Sequence, residues 1–173
     1  MVESFLFSGE IAAQGALLLS AAGLAAACFT DLRFRRIPNV LNLILGVGLF
    51  ALHLHAVGLA GLADAGLAFA LCFGCGVSLY AFGALWAGDV KLLAALSLAL
   101  DWVLALHLLA RIALAGGILG MARLIADGNL RNALFGLLST ARRAQAERSS
   151  VPYALAISAG WLWLVAAGMN WTQ

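Results

Sequence analysis

The sequence predicts an all-α, polytopic integral membrane protein with about six transmembrane helices. Of its 173 residues, 64% are hydrophobic and only 10% are charged, and the mean hydropathy is +1.02. A soluble domain of this size cannot bury so much apolar surface. A bilayer core of about 30 Å needs roughly 20 apolar residues per helix, so the chain holds about six spans with short connections. We therefore expect one membrane-embedded domain over residues 1–173.

Six apolar runs mark the expected helices. In chain order they are Ile11–Thr30, Val40–Gly58, Ala65–Trp86, Leu92–Leu100, Val103–Ile125 and Val151–Gly168. The stretch from Leu92 to Ile125 can be divided near Asp101 or near Arg111, and the first choice leaves a fourth helix too short to span alone. Such a helix is tolerated at membrane depth where protein or a water-filled cavity surrounds it.

The charges predict how the helices are oriented. Cytoplasmic loops are enriched in Lys and Arg, and with Asp31 placed inside, nine of the ten cations lie in inner loops. The outer side then holds four acids, namely Glu3, Glu10, Asp64 and Asp101. We therefore expect both termini outside and a cytoplasmic loop over residues 127–150.

Charge and cysteine spacing argue against several other classes of protein. The net charge of +2 reflects topology signals and does not indicate a nucleic-acid-binding surface. Cys72 and Cys75 form a C-x-x-C pair, but a structural zinc site needs four ligands, and no second pair lies at a suitable spacing. We therefore expect no metal and no cofactor, and the lipid bilayer as a partner. The oligomeric state is not predicted.

Two aspartates border apolar runs on the same predicted side of the membrane. Asp31 opens Asp-Leu-Arg-Phe-Arg-Arg-Ile-Pro-Asn after the first run, and Asp89 follows the third run in Trp-Ala-Gly-Asp-Val-Lys. Acids are costly at membrane depth, so such a pair is a functional-site hypothesis. Two close carboxylates in a poorly solvated site tend to share one proton, as in aspartic proteases. Each acid could instead simply pair with a neighbouring cation, Arg35 or Lys91.

These motifs resemble those of the prepilin peptidases, membrane aspartic proteases of the G-x-G-D type. The resemblance rests on the sequence from Asp31 to Ile-Pro-Asn, on Gly-Asp-Val-Lys-Leu from Gly88, and on Val-Pro-Tyr-Ala from Val151. It implies a protein of the bacterial inner membrane in which Asp31 and Asp89 are the catalytic residues and activate water at the cytoplasmic membrane face. It also implies a prepilin or pseudopilin substrate, cut after a Gly that ends a short basic leader.

The resemblance is to the short form of the family, similar to the enzymes that serve Tad/Flp pili. Longer relatives carry a cytoplasmic domain with two C-x-x-C pairs and N-methylate the trimmed pilin, so we expect no N-methyltransferase activity here. The main departure is Trp86, which stands where the first Gly of G-x-G-D is usual. Two alternatives stay open, a catalytically inactive relative that acts as a pilus-assembly scaffold and a small proton-coupled transporter.

Overall fold

The structure, a computed structural model that describes residues 11–126 and 153–171, consists of α-helices in those two ranges. They are α1 (Ile11–Phe34), α2 (Asn39–Val57), α3 (Leu62–Ala81), α4 (Ala87–Ser97), α5 (Trp102–Ala126) and α6 (Tyr153–Trp171), with a short 3-10 helix (Gly58–Gly61) after α2. The predicted all-α class is confirmed. The predicted cytoplasmic loop at 127–150 lies outside the described residues.

Three helical stretches are long and apolar enough to cross a membrane, namely Ile11–Phe34, Asn39–Ala81 and Trp102–Ala122. The second is 43 residues long and contains both α2 and α3, which are separated at Gly58 with φ of +68°. Positive φ is open to glycine, so the chain can turn there. α2 and α3 then have 19 and 20 residues, each about the length of one span.

The helix boundaries differ from the predicted runs at the two places that carry the aspartates. α1 continues through Phe34, so Asp31 lies in its last turn rather than after it. α3 ends at Ala81, and Asp89 is the third residue of α4. Asp89 therefore belongs to the start of a helix, where the N–H groups of the first turn stabilise negative charge.

The boundary between α4 and α5 falls at Asp101. Its Oδ1 accepts the Leu104 N–H at 2.8 Å, which is the hydrogen bond of a helix N-cap. Arg111, the other candidate boundary, lies inside α5 with its guanidinium carbon 5.9 Å from the centroid of the Trp163 ring on α6, within range of a cation–π interaction. α4 is left with 11 residues and a length of about 16 Å.

α4 is surrounded by other helices. It packs against α2 and α3 and also contacts α6, while α5 packs against α3 and α6, and α1 against α2 and α6. Leu92, Leu93 and Leu96 on α4 are at most 2% exposed. A helix this short and this apolar is stable at membrane depth because protein encloses it. The first turn of α4 lies next to the link between α1 and α2. The candidate active site lies at this contact.

Candidate active site

A cavity of about 520 Å³ lies where the end of α1 and the starts of α2, α4 and α6 meet. Both predicted catalytic residues, Asp31 and Asp89, line it. So does Tyr153, from the Val-Pro-Tyr-Ala segment that the sequence singled out. These three residues come from separate parts of the chain, and each lies in one of the motifs on which the resemblance to prepilin peptidases rests. They line one cavity.

Asp89 is almost fully buried, with 3% of its surface exposed. Its Oδ2 accepts the Trp86 N–H at 3.1 Å. Burial raises the pKa of Asp89 to about 6; the Trp86 N–H acts against this rise, and the charge of Asp31 adds to it. Burial has this effect because it disfavours the charged form of an acid. Asp89 therefore exchanges its proton close to neutral pH, as acid–base catalysts do.

Asp31 is half-buried and has different neighbours. Its carboxyl group interacts with the backbone of Ala154 on α6 and with the Arg35 guanidinium. Its Oδ2 is buried and makes no hydrogen bond within the described part of the chain. Asp31 and Asp89 thus line one cavity but have different surroundings. The charge of Arg35 acts on Asp31, whereas Asp89 is enclosed by the start of α4.

The start of α2 and the link that precedes it are held against the start of α4 by three contacts. Asn42 Nδ2 donates to the Gly88 carbonyl at 3.2 Å, and Lys91 Nζ donates to Asn39 Oδ1 at 2.8 Å. A Cβ at Gly88 would lie 3.3 Å from the Ile37 Cβ, so a larger residue would force Ile37 to shift. These contacts fix the relative positions of the two helix ends that carry the aspartates.

Arg35 turns the chain between α1 and α2. Its φ is +52°, a left-handed conformation that is uncommon for a residue with a side chain. Its N–H donates to the Asp31 carbonyl at 2.9 Å, which closes the last turn of α1 as an αL cap does. The turn that ends α1 therefore also places a guanidinium near the Asp31 carboxyl group.

Trp86 occupies its position without distorting the start of α4. Its φ of −93° and ψ of 157° lie in the extended region, which every residue can adopt. The side chain is 50% exposed and lines the cavity. Glycine is therefore not needed at this position, whereas Gly88 is needed for the contact with Ile37. The departure from G-x-G-D changes the wall of the cavity rather than the fold of the helix that carries Asp89.

Some site residues were not found from the sequence. Asn42, which is 6% exposed, holds the Gly88 carbonyl, and its only sequence signal was an amide within an apolar helix. The contact of Ile37 with Gly88 had no sequence signal. Of the two pairings considered, only the charge of Arg35 acts on its acid, Asp31, whereas Lys91 donates to Asn39 instead.

Residues 18–121 match the profile of the type IV leader peptidase family. The chain belongs to the type IV leader peptidase family. The matched range, more than half of the chain, includes both aspartates and every residue that lines the cavity except Tyr153. No curated protein and no solved structure matches the chain. This family member is thus a leader peptidase-like protease, and its apolar helices and family indicate an inner-membrane protein.

Proposed function

We propose that this family member is a membrane aspartic endopeptidase in which Asp31 and Asp89 activate water to remove the short basic leader of a prepilin. The observation that carries the proposal is that both carboxyl groups line one cavity, although they come from different helices. Family membership supports peptide-bond hydrolysis as the reaction. Two carboxyl groups that share a proton can carry out this reaction with water as the nucleophile.

The unequal surroundings of the two acids support separate roles. Asp89, with its pKa raised to about 6, holds the proton and donates it to the oxygen of the scissile carbonyl. Asp31 takes a proton from water while the water oxygen bonds to the carbonyl carbon. When the tetrahedral intermediate collapses, the C–N bond breaks, Asp31 protonates the leaving amine, and the carbonyl oxygen returns its proton to Asp89.

The charge distribution supports a cavity that opens to the cytoplasm. The cavity end of the bundle carries the exposed cations Arg33, Arg35, Arg36 and Lys91. Asp64, in the first turn of α3, and Asp101, before α5, lie at the opposite helix ends. By the positive-inside rule, the cavity then faces the cytoplasm and both termini lie outside.

The substrate we propose is a prepilin or pseudopilin of the Tad/Flp type, cut after the Gly that ends its leader. This part of the proposal follows from the resemblance to short prepilin peptidases. The same resemblance leads us to propose that the protein has no N-methyltransferase activity. The check is the mass of the released mature peptide after incubation with the protein and S-adenosylmethionine. An added methyl group would contradict it.

The test of catalysis uses a designed prepilin, with a short basic leader ending in Gly and an apolar helix of about 20 residues. It is reconstituted with the purified protein in lipid vesicles. Asp31→Asn and Asp89→Asn should each lower the rate of cleavage by at least about 10³-fold, because general acid–base groups contribute about 10²–10⁴-fold.

The matched control is Asp64→Asn, which changes an exposed acid in the first turn of α3 and should retain the wild-type rate. Cleavage by either cavity variant at the wild-type rate would refute the assignment of the pair. A wild-type protein that leaves this prepilin uncut would support the scaffold alternative instead.

A further inference from the structure

A second cavity, of about 710 Å³, opens on the outer surface of α2, α3 and α4. We call it the apolar groove and define it by the α2 residues that face it between Asn39 and Phe50, by Phe69 and Phe73 of α3, and by Lys91, Ala94, Ala95 and Leu98 of α4. α4 packs against both α2 and α3 and forms the floor between them. In a bilayer, this groove opens toward the lipid.

The apolar groove is continuous with the active-site cavity. Asn39 and Lys91 line both cavities, and the hydrogen bond of 2.8 Å between their side chains lies at the junction. Asn42, the other polar residue of the groove, donates to the carbonyl of Gly88 next to Asp89. A polypeptide that passes the two acids can therefore continue directly into the groove.

The lining of the apolar groove changes from polar to apolar with distance from the junction. Beyond the two asparagines and Lys91, the lining residues are apolar. Three lining residues are small, Gly46 on α2 and Ala94 and Ala95 on α4, and small residues let another helix approach closely. Phe69 and Phe73 form one wall, with their rings stacked at a centroid distance of 5.5 Å.

The size of the apolar groove fits a segment of helix. Asn39 and Phe50 lie eleven positions apart on α2, so the groove extends for about 16 Å, or about three helical turns. Val47 and Phe73, on opposite walls, are 61% and 42% exposed. Because exposed apolar residues of a membrane protein ordinarily contact lipid, it is the concave shape of the groove and its junction with the active-site cavity that indicate a binding surface.

We propose that the apolar groove binds the apolar helix of the prepilin that follows the cleaved bond, while the leader lies in the active-site cavity. This inference rests on the proposed function and identifies where that substrate is held. The polar junction receives the peptide bond at the boundary between the basic leader and the apolar helix. The groove thereby sets the register of the cleaved bond relative to Asp31 and Asp89.

The first test is photo-crosslinking in the inactive Asp89→Asn protein, with the designed prepilin in vesicles. Benzoylphenylalanine is placed at Val47 or Phe73 in the groove. The controls are Ile44 on α2 and Leu71 on α3, which are 58% and 38% exposed and line neither cavity. The groove positions should crosslink to the prepilin, and the controls should crosslink mainly to lipid. Equal crosslinking at all four positions, or crosslinking of the groove positions to lipid alone, would overturn the proposal.

The second test compares two substrates in the active protein. One is the designed prepilin, and the other is a short peptide with the same leader and cleavage site but without the apolar helix. Val47→Trp should lower the ratio of kcat/KM for prepilin to that for the short peptide by about tenfold, equivalent to about 1.4 kcal/mol of lost binding. Ile44→Trp should leave this ratio unchanged.

The two tests separate this inference from the proposed function. If both tryptophan variants keep the wild-type ratio while Asp89→Asn is inactive, the groove assignment fails and the peptidase assignment stands. If Asp89→Asn cleaves either substrate at the wild-type rate, the peptidase assignment fails. Crosslinking at Val47 and Phe73 would then still decide whether the groove binds the prepilin.

Discussion

The two ends of the helix bundle use the same acidic side chain in different ways. At the cavity end, Asp31 and Asp89 face a common space, and Asp89 is 3% exposed. At the other end, Asp101 caps α5 through the Leu104 N–H, and Asp64 is exposed in the first turn of α3. The comparison shows that burial and a second facing carboxyl group, rather than position at a helix end, distinguish candidate catalysts from structural acids.

The largest effect that tests this comparison is the dependence of activity on pH. The pKa of Asp89 is raised from 3.8 to about 6, and the proposed mechanism needs its protonated form. The value of kcat/KM for the designed prepilin should therefore fall by about tenfold for each pH unit above about 6. Asp64→Asn should give the same profile. A rate that rises through this range would make Asp89 the general base.

The same shift predicts how stability depends on pH. Because the pKa of Asp89 is higher in the folded protein, the folded state binds more protons than the unfolded state between pH 3.8 and about 6. The contribution of Asp89 to the free energy of unfolding should therefore decrease as pH rises through this window. Thermal unfolding in detergent micelles, compared between the wild type and Asp89→Asn, measures it. An equal pH dependence in both proteins would contradict the assigned shift.

The next largest effect concerns the contact that holds the cavity together. Gly88→Ala would place a Cβ 3.3 Å from the Ile37 Cβ, so Ile37 must move by a few tenths of an ångström. We expect a loss of about tenfold in kcat, because a displacement of 1 Å can cost about 10²-fold. Gly117→Ala is the control, since a Cβ there meets nothing within 4 Å. Equal rates for the two variants would show that the contact does not position Asp89.

A smaller effect is expected at the rim of the cavity. Trp86 adopts an extended conformation at the N-cap of α4, where a change to Gly costs only a few tenths of a kcal/mol. Trp86→Gly should therefore leave the rate of prepilin cleavage unchanged or raise it. A complete loss of activity in a folded variant would show that the indole side chain is part of the site.

The smallest effect on activity is expected at the opposite end of the bundle. Asp101→Ala removes the acceptor of the Leu104 N–H and should lower the free energy of unfolding by about 1 kcal/mol. It should leave kcat/KM for the prepilin unchanged, because Asp101 does not line the cavity. Thermal unfolding and cleavage assays on the same preparation separate the two quantities. Lost activity at unchanged stability would mean that Asp101 affects the site.

Much of this architecture could be predicted from the sequence because a bilayer restricts the chain that crosses it to regular structures, here α-helices of about 20 residues. Apolar runs of the required length predicted the helical class. The cost of acids at membrane depth drew attention to Asp31 and Asp89, which do line one cavity, and their catalytic role stays a prediction. The contact of Gly88 with Ile37 and the hydrogen bond from Asn42 could not be predicted. Both depend on how the start of α4 meets the link between α1 and α2, which has no periodic signal in a single sequence.

If Asp89 acts as proposed, the short length of α4 also determines how deep in the membrane a bond is cut. α4 has 11 residues, so it crosses only about half of a bilayer core of about 30 Å, and residues 98–100 form a turn that joins it to the cap of α5 at Asp101. One inserted turn would displace Asp89 relative to Asp31 by about 5.4 Å along the axis of α4. In the proposed mechanism the position of cleavage depends on the number of residues between Trp86 and Asp101, so insertions and deletions in this stretch should lower activity more than substitutions do.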